Sequence, residues 1–198
     1  STETAHSAPE SQPNAGPAPA AEPHPSHGQR LQTARERAPL GNLHKEGEKL
    51  ARQNKLFVRE RIALLVDEGS FVEDGLLANA SAQDLPADGV VTGVGEVDGR
   101  PVVIVANDPT VKGGSQAPIT VTKALRAMSV AHDNRLPLVS LTESGGADLT
   151  KQVDVFNPGG ATFKNLTRLS AAGIPTITLV FGSSTAGGAY VPGMRDYV

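Results

Sequence analysis

The stretch IPTITLVFGSSTAGGAYVP, residues 174–192, gives the strongest indication of how this chain folds. Its first eight residues are mostly apolar or β-branched, which predicts a buried strand. Small residues follow and lead into a predicted helix, whose first N–H groups have no partner inside the helix and lie at the positive end of its dipole. Because Gly187 and Gly188 have no Cβ, a ligand oxygen can approach their N–H groups closely. Such an arrangement is typical of an oxyanion hole.

A second stretch of the chain repeats this pattern. PLVSLT, residues 137–142, predicts another strand, and ESGGADL follows it at residues 143–149 with the pair Gly145 and Gly146. A Gly-Gly pair is also common in simple turns and at tight packing points, so each pair alone has two interpretations. The recurrence in matching contexts favours one cleft that both loops line.

The rest of the globular part alternates between strand and helix patterns. Runs rich in valine and isoleucine at 90–97 and 101–106 are separated by Asp98-Gly99, which predicts a β-hairpin. Apolar residues recur at helical spacing in 58–67, 119–134 and 160–172, while 75–89 has the composition of a loop. The alternation predicts an α/β fold with parallel strands, and ligands of such sheets bind at the carboxyl ends of the strands.

The first 43 residues differ in composition from the rest. Seven of the 15 prolines lie between Pro9 and Pro39, and no aromatic residue occurs before Phe57. Such a segment cannot bury enough apolar surface to offset the entropy lost on ordering. We therefore predict a disordered Pro/Ala-rich tail at 1–43 and a folded domain at 44–198. The tail histidines lack the spacing of metal ligands, and no metal site is predicted.

Composition excludes several classes of function. The chain has no cysteine, which rules out disulfides, a cysteine nucleophile and a cysteine-based zinc site. A net charge of −3 gives no reason to expect binding to nucleic acid or to an anionic membrane surface. No apolar run approaches the roughly 20 residues of a membrane-spanning helix, and the N-terminus lacks the apolar core of a secretory signal. We expect a cytoplasmic protein.

Three motifs, in this order and with their spacing, resemble the signatures of biotin-dependent acyl-CoA carboxyltransferase β subunits. They are NDPTVKGGS at 107–115, ESGGADL at 143–149 and GSSTAGGAYVP at 182–192. VRERI at 58–62 is similar to an N-terminal segment of the same family, so the resemblance covers roughly residues 45–198. TVKGG and the segment QVDVF at 152–156 are most similar to the methylcrotonyl-CoA members, within a methylcrotonyl-CoA/propionyl-CoA carboxylase-like group.

The resemblance implies a fold and a reaction. The fold would be a crotonase-type spiral of ββα units, present here as a partial N-domain. The reaction would move a carboxyl group from carboxybiotin to the α-carbon of an acyl-CoA, through an enolate held by backbone oxyanion holes. The family's catalytic loops match Gly187, Gly188, Gly145 and Gly146. Contacts to the coenzyme A part of the substrate match Lys112, Gly113, Gly114, Ala186 and Tyr190.

The resemblance also implies partners. The biotin would be carried by a biotinylated α subunit, and the β subunits would form a homo-oligomer. Because family members continue beyond this region into a second, similar domain, we expect the chain alone to be inactive. Two alternatives stay open: a carboxyltransferase subunit of a biotin-dependent decarboxylase, and a non-catalytic fragment for CoA binding or assembly. A serine hydrolase is disfavoured because the Gly-x-Ser-x-Gly elbow is missing.

Some polar residues near the motifs have an ordinary structural interpretation. Glu143 is interpreted as a carboxylate at the end of a strand that nearby amides satisfy, rather than as a catalytic group. Lys123 and Arg126 begin the helix after the first motif and are weaker candidates than Lys112 for contacts to phosphate.

Overall fold

One five-stranded sheet forms the centre of the computed structural model, which describes residues 25–82, Leu85 and 87–198. The strands lie side by side in chain order. Their bounds are β1 Val72–Asp74, β2 Val90–Val97, β3 Arg100–Asn107, β4 Leu138–Thr142 and β5 Thr176–Val180. The first three strands pair antiparallel, and β4 and β5 continue the sheet parallel to β3. The predicted mixture of a hairpin and parallel strands is confirmed.

The turn of the predicted hairpin has the expected backbone. Asp98 has a φ of 50° and Gly99 a φ of 70°, so both central residues are left-handed. Two such residues give the type I′ turn, whose twist matches that of paired strands. In the resulting register, Val97 faces Arg100 and Val90 faces Asn107.

Six helices lie among the described residues. Their bounds are α1 His27–Arg37, α2 Leu43–Arg52, α3 Val58–Leu65, α4 Pro118–Asn134, α5 Gln152–Ala171 and α6 Gly187–Gly193. Short 3-10 helices occupy Ala38–Leu40, Lys112–Gly114 and Leu149–Lys151. In this part of the chain, no helix combines the length and the apolar character needed to cross a bilayer.

The sheet separates two apolar cores, because successive side chains of a strand point to opposite faces. Ile104 of β3 packs with residues of α2 and α3 such as Leu50 and Ile62. Val103, the preceding residue, packs with the residues of α4 and α5 on the other face, including Met128 and Leu166. The helices predicted at 58–67, 119–134 and 160–172 therefore exist and provide these layers.

Two local predictions need correction. Helix α5 begins at Gln152, eight residues before the predicted start, and contains Pro158. Burial of Val155, which is 2% exposed, stabilises this first part of the helix against the unfavourable proline. The described residues of 75–89 lie in turns and loop as predicted, but the short strand β1 precedes them and was not predicted.

The boundary of the predicted tail also needs correction. Residues 27–40 lie inside the predicted range 1–43 but form α1 and a 3-10 helix. Ser26 and Gln29 form a reciprocal capping box that satisfies donors at the start of α1. Helix α1 has no buried residue, whereas Ala38 is 3% exposed, so burial against the folded part begins after α1, although Arg37 at the end of α1 already donates to the carbonyl of Gly41. Residues 1–24 lie outside the described residues.

Candidate active site

Three loops meet at the carboxyl ends of the parallel strands: the first loop, 108–117, follows β3, the second, 143–148, follows β4, and the third, 181–186, follows β5. Hydrogen bonds hold the first two loops together. The N–H of Gly145 donates to the carbonyl of Gly113 at 3.0 Å, and Ser144 Oγ donates to the carbonyl of Gly114 at 2.8 Å. Gly114 has a φ of 70°, and a Cβ there would lie 2.1 Å from the carbonyl oxygen of Glu143. The close approach of the two loops therefore requires glycine at this position.

The third loop rests on the second. The N–H of Thr185 donates to the carbonyl of Ser144 at 3.1 Å, and its hydroxyl donates to the carbonyl of Gly145 at 2.9 Å. A Cβ on Gly188 would lie 3.0 Å from the carbonyl oxygen of Ser144. The start of α6 can therefore approach the second loop only because Gly188 has no side chain.

A buried polar cluster of Asp108 and Thr110 connects the first loop to the segment that precedes α2. Asp108 is 3% exposed, and its Oδ1 accepts from the N–H and the hydroxyl of Thr110. Burial raises the pKa of Asp108 above its usual range. The N–H of Asn42 donates to Thr110 Oγ1 at 2.9 Å, and Gly41, with a φ of 51°, packs directly against Asp108. The segment before α2 thus helps to hold the loop that leads to Lys112.

Glu143, at the end of β4, is satisfied by two cations rather than by the amides expected from the sequence. Its carboxylate lies 2.5 Å from Lys55 Nζ and 2.9 Å from Arg61 Nη1. The guanidinium of Arg61 also lies over the ring of Phe181, 4.6 Å from its centroid. These contacts connect α3 to the ends of both β4 and β5, directly behind the second and third loops.

An open, largely apolar cleft of about 740 Å³ lies between these loops and α5. Gly145 of the second loop lines it together with Ala186, Gly187 and Tyr190 of the third loop and α6. The ring of Tyr190 meets that of Phe163 edge-on, with centroids 5.1 Å apart. The prediction that the two Gly-Gly loops line one cleft is therefore confirmed.

The N–H groups of the four predicted catalytic glycines differ in what they bind. The N–H of Gly145 donates to Gly113, that of Gly146 to Ser144 Oγ at 3.2 Å, and that of Gly188 to the carbonyl of Thr185 at 2.8 Å. The N–H of Gly187 donates to no described residue. It lines the cleft at the first position of α6, where a helix leaves its N–H groups free.

Ala147 is a candidate that the sequence did not reveal. Its neighbours Gly146 and Asp148 pair with Gln116 in a short parallel bridge, which leaves the N–H of Ala147 without a partner among the described residues. Like Gly187, Ala147 lines the cleft. In a parallel bridge the backbone groups of alternate residues bond to the neighbouring strand, so the residue between them keeps a free N–H. This pairing identifies Ala147, and it is visible only in the folded chain.

The turn from β5 into α6 has an unusual backbone at Ala186. Its φ of 48° and ψ of −122° lie in a region that residues other than glycine rarely adopt. A sharp strand-to-helix turn also presents the serine of hydrolases, but here the residue at the turn has only a methyl group. At the position where a serine hydrolase has its nucleophile, this turn has an alanine.

The basic residues near the first motif have different surroundings. The side chain of Lys112 is 55% exposed and its Nζ lies 3.2 Å from Asp148 Oδ2. The hydroxyl of Thr150, with a smaller effect of Lys112, lowers the pKa of Asp148. Lys123 is buried and donates to the carbonyls of Ala87 and Val90, so it is not the surface contact considered from the sequence.

Comparisons with known proteins identify relatives for most of the chain. Residues 49–198 match the family model described as "Carboxyl transferase domain". The chain is 60% identical over 147 residues to the probable biotin-dependent acyl-coenzyme A carboxylase beta2 subunit of Mycobacterium tuberculosis, a match that covers 74% of this chain and 28% of that protein. It is 48% identical over 168 residues to the mitochondrial methylcrotonoyl-CoA carboxylase beta chain of Dictyostelium discoideum, covering 81% of this chain and 29% of that protein. The chain thus spans less than a third of the length of these curated relatives.

A solved structure has the same fold. The crystal structure of transcarboxylase 12S, a hexamer with methylmalonyl-coenzyme A and methylmalonic acid bound, matches with a TM-score of 0.77 and 32% sequence identity. The match covers 87% of this chain and 36% of the transcarboxylase chain. This likeness confirms the predicted crotonase-type α/β fold.

Proposed function

Because this chain belongs to the carboxyl transferase domain family, we propose that it forms the acyl-CoA-binding part of a biotin-dependent carboxyltransferase. The reaction moves a carboxyl group from carboxybiotin to the α-carbon of an acyl-CoA. The observation that carries this proposal is a cleft lined by Gly187 and Ala147, whose N–H groups both lack a partner among the described residues.

The two free N–H groups suit an enolate. The α-proton would pass to the biotin nitrogen that has given up its carboxyl group, and negative charge would develop on the thioester oxygen. Fixed N–H donors stabilise that charge without any change in their own protonation. The interlocked loops hold both donors in place before the reaction, so no reorganisation is needed as the charge develops. One such donor typically contributes about 10²–10³ in rate. In this proposal Gly145, Gly146 and Gly188 act by holding the loops together.

The substrate's other groups would meet the walls of the cleft. Ala186 and Tyr190 present apolar surface, and Phe156 and Phe163 of α5 face the same space. Such a surface fits the hydrocarbon parts of an acyl-CoA. Lys112, Gly113 and Gly114 remain the proposed contacts for its phosphates, with the exposed ammonium of Lys112 as the charged group.

Carboxybiotin supplies the carboxyl group when it is bound, and we propose that a biotinylated α subunit delivers it to a β-subunit homo-oligomer. Transcarboxylase 12S, a relative by fold and sequence, is a hexamer. The cleft of about 740 Å³ is open to solvent, so a group carried by a partner subunit could approach it from outside.

The substitution Gly187→Val tests the proposal in the complete protein with its partner subunits. A Cβ on Gly187 meets no atom within 4 Å, so the variant should fold and assemble normally while its side chain blocks approach to the N–H. We expect transfer to acyl-CoA to fall at least about 10²-fold. Gly193→Val is the matched control, because Gly193 lies in the same helix and its Cβ also meets open space. Normal turnover of Gly187→Val in an intact complex would contradict the proposal.

A further inference from the structure

A second, much smaller cavity of about 50 Å³ lies inside the chain. The second loop contributes Ser144 to its lining, and the start of α6 contributes Gly188. Ser140 and Thr142 of β4 add hydroxyl groups, and Arg195 adds a guanidinium. None of the residues that line this cavity is an aspartate or a glutamate.

Arg195 is buried with much of its bonding capacity unused. The residue is 9% exposed, and its Nη2 donates to Ser140 Oγ at 2.8 Å. Its Nε and Nη1 are buried and have no hydrogen-bond partner among the described residues. The adjacent carboxylate does not pair with it, because Asp196 accepts instead from the N–H and the hydroxyl of Thr176.

A buried guanidinium that forms no hydrogen bond with a carboxylate is costly, and the charge of Asp196 acts on Arg195 only from a distance. Burial lowers the pKa of Arg195 to about 10, which still leaves it charged at neutral pH. Taking a charge out of water costs several kcal/mol unless an opposite charge and hydrogen bonds compensate it. Water in the cavity can satisfy the free N–H groups but does not neutralise the charge.

We propose that this cavity binds one small monovalent anion, a halide or hydrogencarbonate, against the guanidinium of Arg195. A single negative charge balances the single cation, and the hydroxyl of Thr142 can donate to the same ion. The volume fits a few water-sized particles and is too small for the phosphate groups of a coenzyme. This site is separate from the proposed transfer reaction, whose groups line the larger cleft.

The anion would stabilise the contact between the second loop and the start of α6. Ser144 and Gly188 line the cavity, and their neighbours Gly145 and Gly187 line the cleft. We therefore expect occupancy of the cavity to raise the stability of the fold in this region.

Thermal unfolding of the purified chain tests the site. Melting is measured at constant ionic strength in sodium gluconate, whose anion is too large, and in sodium chloride, bromide or hydrogencarbonate. At an anion concentration about ten times its Kd, the melting temperature should rise by about 3–6 °C relative to gluconate. The anion that acts at the lower concentration distinguishes a halide from hydrogencarbonate.

Two variants assign the effect to the cavity. Arg195→Met should lose the anion-dependent rise, whereas Arg126→Met should keep it, because Arg126 is a surface arginine paired with Asp74. Equal melting of the unmodified chain in gluconate and in every small anion overturns the proposal. So does an Arg195→Met variant that keeps the full rise.

Crystals grown in sodium bromide give a test that needs no variant. An anomalous peak in the cavity beside Arg195 would support the proposal even if Arg195→Met does not fold. Density for water alone at that position, in crystals with bromide at the concentration that stabilises the chain, would overturn it.

Discussion

Replacing Glu143 by glutamine removes the carboxylate that pairs with both Lys55 and Arg61. The two ion pairs do not contribute equally. The side chain of Lys55 is 26% exposed, so solvent screens its pair with Glu143 to about 0–1 kcal/mol. The side chain of Arg61 is only 3% exposed, and losing one partner of a buried pair costs about 3–5 kcal/mol. Since the glutamine oxygen still accepts one hydrogen bond, we expect a loss near the lower end, about 3 kcal/mol.

Urea and thermal unfolding followed by circular dichroism measure this loss. For a chain of this size, about 3 kcal/mol corresponds to a drop in melting temperature of roughly 6–12 °C. Glu46→Gln is the matched control: Glu46 pairs with Lys49 on the surface, where the two side chains are 36% and 59% exposed. That control should change the free energy of unfolding by no more than about 0.5 kcal/mol.

A double-mutant cycle separates the ion pair from other effects. If the buried charge of Arg61 is what makes Glu143→Gln costly, Arg61→Met together with Glu143→Gln should cost less than the two single losses added. A loss for Glu143→Gln no larger than that of Glu46→Gln would refute the reasoning. Additive effects of the two substitutions would refute it as well.

Three further predictions concern the loops and their support. Burial lowers the pKa of Lys123 from 10.5 to about 8, so between these pH values the unfolded chain binds more protons than the folded chain. The free energy of unfolding should therefore rise with pH across that window, by up to about 3 kcal/mol. Urea titrations measure this rise, and Lys123→Met should abolish it. Gly188→Ala should cost about 1–3 kcal/mol in the same titrations because its Cβ would crowd Ser144, whereas Gly187→Ala, with open space around its Cβ, should change stability little. Ala186→Gly should raise the melting temperature, because glycine adopts the φ of 48° without the strain that costs other residues about 1–3 kcal/mol; an unchanged or lower value would show that the turn is not strained.

The hairpin and the strands β2 to β5 could be predicted because their signals are local, whereas the three-residue strand β1 was missed. The runs that became β2 and β3 are rich in branched residues, and Asp98-Gly99 between them fixes the turn. The start of α5 was missed because Pro158, Gly159 and Gly160 are poor helix formers. Packing of Val155 in the folded chain overrides that local preference.

The candidate site was predictable as a place but not as a set of donors. Gly-Gly pairs after two strands located the cleft from the sequence alone. Which N–H groups remain free depends on bonds between loops that are distant in the chain, such as the one from Gly145 to Gly113. No local pattern records such bonds, so Ala147 was not singled out and Gly146 was.

The two glycines at the start of α6 therefore have separable roles that their identical side chains conceal. Gly187 lines the cleft, meets no atom within 4 Å at its Cβ position and has an N–H without a partner among the described residues, so under the proposed function its requirement for glycine comes from the approach of a ligand. Gly188 faces the carbonyl oxygen of Ser144 at 3.0 Å and its N–H is already bonded to Thr185, so its requirement comes from packing. A substitution at Gly187 should therefore reduce transfer in a stable protein, whereas one at Gly188 should first reduce stability. Activity and unfolding measured on the same pair of variants can thus distinguish an oxyanion site from a tightly packed turn.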